Sequence, residues 1–344
     1  MSTYDAFANL PLVVESYELE RLQQDVSSDF TRVTTVVHLR GGGEEGVGED
    51  VTYAAELHPP PRELPLAGEA TLDGFSTLLD GLELFVEPPR MEAFRHYRRW
   101  AFESAALDLA LRQGGRSIAD ALGREPRPVR FVVSKRIDSI AALRRLLDGY
   151  PGTRLKLDPT SDWTEDLVAA ISATAAVDVL DLKGAYKGTA VDQPPDPDLY
   201  DRVAQAFPDA WIEDPALTPE TGAVLAPHRD RITWDAPIHS VADVEALPFA
   251  PRTLNVKPSR FGQLRELCAF YDYCAEREIA LYGGGQFELG PARGQIQVLA
   301  SLFHADAPND VAPGGYNAME AQDGLEVSPL EPALDPTGFR RRPR

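Results

Sequence analysis

The stretch from Trp211 to Lys257 constrains this chain more than any other. It reads W-I-E-D-P, then I-T-W-D-A-P, then T-L-N-V-K-P. Three short apolar runs each lead to a charge, Glu213, Asp235 and Lys257, and successive charges stand 22 residues apart. Each gap has room for a turn, a helix and a return. That is the cadence of a barrel of parallel strands and helices, in which the C-terminal strand ends gather the functional side chains.

The same cadence extends in both directions. R-F-V-V-S, T-R-L-K-L-D and V-D-V-L-D-L-K read as three earlier strands, with helices predicted over 138–149, 163–173 and 197–206. A long helix over 261–278 follows the sixth strand. I-A-L-Y-G-G-G begins a seventh, with its helix over 292–303, and no eighth helix follows. Strands alternating with helices at this spacing imply parallel β structure with helical crossovers. Upstream, residues 12–57 read as a strand meander interrupted by a polar loop at Gln23–Thr31. Pro59–Pro65 is a proline-rich connection. Helices are predicted over 70–82 and 91–113, and a short S-I-A-D-A-L helix stops at Gly123. Gly41, Gly43 and Gly46 formally satisfy G-x-G-x-x-G, but the acidic, strand-like continuation calls for a hairpin turn, not a dinucleotide site. The expected organisation is an α+β domain over 1–125, a barrel over 126–311, and a Pro- and Gly-rich tail over 312–344 that packs back on the first domain.

Composition narrows the partners. A formal net charge of −20 over 344 residues argues against nucleic acid or an anionic membrane surface. No run reaches the roughly 18 apolar residues of a membrane span. The N-terminus lacks the basic start and apolar core of a signal peptide. The cysteines, Cys268 and Cys274, share one predicted helix, so a disulfide framework is not expected and a reducing cytoplasm is the simplest setting.

Residues i and i+2 of a strand share a face. Arg154, Lys156 and Asp158 therefore share one face of the second strand, and Asp181 and Lys183 one face of the third. Barrel interiors are normally filled with branched apolar residues, so inward charges need a reason. Lys156, Asp181, Glu213, Asp235 and Lys257 supply one charge from each of strands two to six. Three carboxylates on adjacent strands suit a hard divalent ion such as Mg²⁺, with Mn²⁺ as a substitute. Two lysines flanking that ion suit proton transfer. An aqueous lysine titrates near ~10.4 and needs neighbouring cations to make it a base at neutral pH. Arg154 and the metal are the candidates. Ser134 at the first strand end, and Gln286 and Glu288 at the seventh, are candidate substrate contacts, as are Arg154 and Lys183. His239 follows the fifth strand closely. The Arg340–Arg344 tail reads as a solvated basic end.

These motifs together resemble the enolase superfamily, and within it the muconate-lactonizing-enzyme subgroup. Gly43–Val51 is similar to the family's glycine-rich strand pair, Phe102–Gly123 to its A-x-E-x-A-L-x-D helix, and Arg154-Leu155-Lys156 to its K-x-K motif. Ile212–Pro215 resembles I-E-x-P, Asn255–Gly262 the sixth-strand lysine motif, and Gly284–Gly294 the seventh-strand segment. The resemblance implies a (β/α)₇β TIM-like barrel under an α+β capping domain built from the N-terminal segment and the C-terminal tail. It implies Asp181, Glu213 and Asp235 as Mg²⁺ ligands and Lys156 and Lys257 as an acid/base pair acting through an enediolate. The implied reactions are o-succinylbenzoate-synthase-like dehydration, cycloisomerisation or epimerisation of a small carboxylate. A homo-oligomer is compatible, and the loop near Gln23–Thr31 is expected to act as a lid. Three positions depart from the family pattern: Arg154, Ala236, and Lys183, which stands where the third strand usually reads Asp-Ala-Asn. Lys183 and Ala236 motivate an alternative, a barrel that binds an acidic metabolite without turnover.

Overall fold

The first domain is built by a long hairpin laid on a helix of small residues. In the computed structural model, which describes residues 2–27, 30–58, 63–189, 191–318 and 322–342, β1 (Pro11–Val14) is followed by β2 (Ser16–Ser27), β3 (Phe30–Gly41) and β4 (Glu44–Asp50). The last three form an antiparallel sheet, and the turn at Gly42 and Gly43 is the expected hairpin. β5 (Gly68–Thr71) pairs with β1 and runs into α1 (Leu72–Asp80), α2 (Ala93–Gln113) and α3 (Ile118–Leu122). α2 carries A-A-L-D-L-A-L, and its small residues let β4 come close. A Cβ on Gly46 would lie 2.2 Å from the Ala105 carbonyl, and one on Gly48 would lie 2.0 Å from that of Ala101. Only glycine permits this approach. The polar loop expected at Gln23–Thr31 is mostly strand, because β2 and β3 pair through Asp25↔Thr31 and Ser27↔Phe30. Positions 28 and 29 of the expected lid lie outside the described residues, as do 59–62 of the proline-rich connection.

The second domain alternates strands and helices in the expected order. β6 (Val133–Lys135), α4 (Ile140–Gly149), β7 (Leu155–Leu157), α5 (Glu165–Ser172), β8 (Val177–Asp181) and α6 (Pro197–Ala206) come first. Then follow β9 (Trp211–Glu213), α7 (Pro219–Leu225), β10 (Ile232–Thr233), α8 (Val241–Glu245) and β11 (Thr253–Val256). α9 (Pro258–Phe261), α10 (Leu264–Glu276), β12 (Ala280–Gly283) and α11 (Pro291–Phe303) complete it. Local chemistry starts α4 to α8. Ser139, Thr164, Asp196, Thr218 and Ser240 accept first-turn amides with their side chains. The predicted 261–278 helix is broken at Gly262, whose φ of 70° interrupts it.

Strands β6 to β10 form one parallel sheet and β11–β12 another. The Asn255 amide donates to the Trp234 carbonyl at 3.0 Å and joins them. The ring closes through Asn309 and Asp310, which bridge Phe131 and Gly284 in parallel. These two residues act as the eighth strand. Asn309 is its anchor: its Oδ1 accepts from the Gly283 amide at 2.6 Å and from Nδ1 of buried His304 at 2.7 Å.

His304 gives the closure a pH dependence. Burial holds its imidazole down at about 4, against an ordinary value near 6.5. The folded state thus binds fewer protons than the unfolded chain between those values, so stability is present above ~6.5 and is lost as pH falls towards ~4. The size is about 3 kcal/mol. Urea unfolding at pH 7.5 and 4.5 should show His304→Gln, which keeps a donor for Asn309, losing about 2–3 kcal/mol less than the parent on acidification. Equal losses would refute the assignment.

The tail returns to the first domain. Asp108 in α2, fully buried, accepts from the Phe339 amide at 2.7 Å, from Arg340 Nε at 2.6 Å and from the Val47 amide at 2.9 Å. Arg340, expected to be solvated, is therefore anchored. Two further contacts fasten the domains. Buried Arg32 donates to the carbonyls of Val51, Thr52, Gln286 and Phe287. Buried Glu49 accepts from the amides of Leu289, Gly290 and Ala292 at the start of α11. Among the described residues, no helix is long and apolar enough to cross a membrane.

Candidate active site

The barrel's strand ends deliver the expected charges to one place. β7 carries Lys156, β8 ends on Asp181 and β9 on Glu213, and Asp181 pairs in register with Glu213. Asp235 and Lys257 follow β10 and β11. All five are buried: Asp181, Glu213 and Asp235 at 0 %, Lys156 at 1 % and Lys257 at 8 % exposure. The Lys156 ammonium contacts Glu213 and lies 3.3 Å from Asp181 and 3.8 Å from Asp310. Lys257 lies 2.8 Å from Asp235. β7 and β11 stand on opposite sides of the closed ring, so the two lysines approach from opposite sides.

Several participants carried no signal of their own in the sequence. Arg260, one turn beyond Lys257, lies 2.7 Å from Asp235 Oδ1. The Tyr186 hydroxyl donates to Asp235 Oδ2 at 2.8 Å. Tyr282 donates to Glu213, and Asn255 Nδ2 donates to the same carboxylate at 3.3 Å. Arg260 at least follows Lys257 by three residues in K-P-S-R, but the hydroxyls of Tyr186 and Tyr282 reach the cluster only through tertiary packing.

Electrostatics is dominated by crowded carboxylates. Burial alone would lower Lys156, but Glu213, Asp181 and Asp310 hold it well above the ordinary lysine range. Arg154 was expected to help depress it. Instead Arg154 precedes β7, at the far end of the strand, and its guanidinium turns onto Asp178 and the Ala175 carbonyl. It therefore does not join the cluster. Burial and then Asp235 push Asp214 up to about 7. Burial raises Asp158 to about 6 against the opposing charge of Lys183.

Asp181, Glu213 and Asp214 each present an oxygen within 4.8 Å of the others, the one such group among the described residues. Sequence pointed to Asp235 in place of Asp214. Two sets of contacts explain the difference. The Asp235 carboxylate is drawn aside by Lys257, Arg260 and Tyr186. Both Asp214 oxygens accept backbone amides, from Asp235 and Ala236, at 2.8 Å. Asp214 therefore braces the segment that carries Asp235. An all-oxygen, buried and electrostatically crowded set fits a hard divalent cation.

Lys183 is the departure from a plain carboxylate site. It follows β8 in the left-handed region, with φ 53°. Its ammonium contacts Asp181 and lies 3.7 Å from Asp158. Asp214 and Phe287 share the left-handed conformation, at φ 48° and 58°. Backbone in this region is costly for non-glycine residues and collects where surroundings enforce it.

The first domain supplies the roof. Gln286 Nε2 donates to the Tyr97 hydroxyl at 3.1 Å, and the Tyr53 hydroxyl donates to Gln286 Oε1 at 3.3 Å. Glu288 pairs with Arg293 at 3.0 Å. Ser134 is half-buried beside Lys156 in register. The His239 ring lies 6.2 Å from that of His96, and burial holds it below its ordinary value.

The chain matches two families described as the N-terminal domain (residues 5–121) and C-terminal domain (residues 125–318) of the domain of unknown function DUF8230. It is 29 % identical over 231 residues to an o-succinylbenzoate synthase of Bacillus subtilis, covering 61 % of this chain and 57 % of that protein. The chain thus spans little more than half the length of that relative. It is 30 % identical over 279 residues to an N-succinylamino acid racemase of Amycolatopsis, covering 72 % of this chain and 73 % of that protein. The fold matches a muconate cycloisomerase from Pseudomonas fluorescens with a TM-score of 0.61 and 18 % identity, covering 88 % of this chain and 87 % of that one. A barrel with buried carboxylates on successive strands, a roofing α+β domain and this extent of identity to a racemase lead to one conclusion: the chain belongs to the enolase superfamily.

Proposed function

We propose that this protein removes a proton α to a carboxylate and proceeds through an enediolate to an isomerisation or elimination. The observation that carries the reading is the pair of buried lysines on opposite sides of one carboxylate cluster. One lysine Nζ takes the α-proton. The opposite lysine, as ammonium, returns a proton to the other face or donates one to a departing hydroxyl. In the first case the product is the stereoisomer, in the second an alkene and water, and each route balances. Asp181, Glu213 and Asp235 would hold Mg²⁺ or Mn²⁺, with Asp214 bracing Asp235. When bound, such an ion supplies positive charge to an enediolate and relieves the carboxylate crowding that holds Lys156 protonated. Ser134, Lys183, Gln286 and Glu288 line the approach, and Arg154, engaged with Asp178 before β7, does not. The relatives' names share a succinyl group, so the proposed substrate is a small carboxylate with an acyl-carboxylate arm.

Proton–deuteron exchange in D₂O tests this across N-succinyl and other N-acyl amino acids, dipeptides and cyclohexadiene acids, with Mg²⁺ present. Exchange is expected for at least one class and should fall by at least ~10³-fold in Lys156→Ala or Lys257→Ala. Exchange surviving both changes refutes the two-lysine scheme. The contact of Lys183 with Asp181 favours a second reading, binding of an acidic metabolite without turnover. Tight binding with no exchange for any class would select it.

A further inference from the structure

Asp181 is served at both oxygens by a single residue. The Lys183 amide donates to Oδ1 at 3.1 Å, and the Lys183 ammonium contacts Oδ2. The left-handed turn at Lys183 makes this possible by folding the side chain back over the strand end it has just left. Asp158 Oδ1, 3.7 Å from the same ammonium, has no hydrogen-bond partner, and the Tyr186 ring lies 4.9 Å away on a third side. Tyr186, from the same turn, takes an oxygen of Asp235. One short segment after β8 thus occupies oxygens of two of the three proposed ligands. A unit positive charge in contact with a ligand oxygen opposes a divalent ion there, and burial strengthens the opposition.

We propose that the Lys183 ammonium is a resident counter-cation of the carboxylate cluster, and that a divalent ion enters only by displacing it from Asp181. This rests on the reading of Asp181, Glu213 and Asp235 as metal ligands. The parent chain then binds divalent metal weakly, and its cluster remains charge-paired when metal is scarce.

The test is Mn²⁺ titration of the full chain, followed by electron paramagnetic resonance of free Mn²⁺ and by calorimetry, for the parent, Lys183→Asn and Lys183→Met. Asparagine tolerates the left-handed backbone, and methionine keeps an apolar stem without charge, so the two variants guard against a folding failure in either. Both are expected to bind Mn²⁺ at least ~10-fold more tightly than the parent. Tyr186→Phe, which removes one of the donors on Asp235 Oδ2 without removing a charge and leaves Lys257 on that oxygen, should tighten binding by less than either. Parent and Lys183 variants agreeing within about threefold would overturn the proposal while leaving the metal reading intact. Absence of Mn²⁺ binding in all three would also overturn it. The exchange assay then decides separately whether the proposed chemistry stands.

Discussion

Glu213→Gln is expected to abolish α-proton exchange while leaving the chain folded. Glu213 is fully buried, pairs with Lys156 and accepts from Tyr282 and Asn255. The amide keeps the shape and an acceptor for Tyr282. It removes one negative charge from the cluster that is meant to bind a cation and to hold Lys156 in place. Loss of one such electrostatic element costs about 10²–10³ in turnover, and a weakened metal site adds to that. We expect a fall of at least ~10³-fold, read as deuterium incorporation per enzyme at saturating Mg²⁺. Urea unfolding should move by less than ~1.5 kcal/mol, because an isosteric amide relieves crowding among Asp181, Asp214 and Asp235. Exchange within tenfold of the parent would remove Glu213 from the proposed machinery.

Arg32→Met is expected to cost about 3–5 kcal/mol of stability, because it leaves several buried carbonyls without a donor at about 1–3 kcal/mol each. Arg32 is 0 % exposed and serves four carbonyls, two in its own domain and two at the barrel's rim. Methionine fills part of the volume but leaves those carbonyls unpaired in a dry site. Urea unfolding measures the loss. A change below ~1 kcal/mol would mean that water or neighbouring donors replace the guanidinium. The same variant should loosen Gln286, whose carbonyl Arg32 holds, and so raise KM for any substrate that contacts it.

The barrel was legible because its signal is repetitive. Apolar runs at even spacing, each ending on a charge, locate strand ends without knowledge of packing, and Lys156, Asp181, Glu213, Asp235 and Lys257 were found that way. What was missed lacks periodicity. Asp310 sits in A-P-N-D-V, where only two residues pair and no apolar run announces a strand. Face alternation grouped Arg154 with Lys156 but says nothing about which end of the strand a side chain serves, and Arg154 precedes the strand, before a register irregularity at Leu155 and Lys156. Lys183 does meet Asp181, but through a turn and not through strand alternation. A strand rule assumes extended backbone, and that residue lies in a left-handed turn. Asp214 was visible in E-D-P, but its grip on two amides depends on the neighbouring strand's path. The cluster's composition could be read from the chain; its pairing could not.

The contacts of Glu49 have a kinetic consequence. The amides of Leu289, Gly290 and Ala292 are held by a carboxylate that belongs to β4, deep in the other domain's sheet. These protons lie on a connecting segment, which in most barrels opens on its own. Here they are released only when β4 itself parts from them. Their hydrogen exchange should therefore follow the opening of the N-terminal sheet, so that the rim of the barrel and the hairpin above it behave as one cooperative unit.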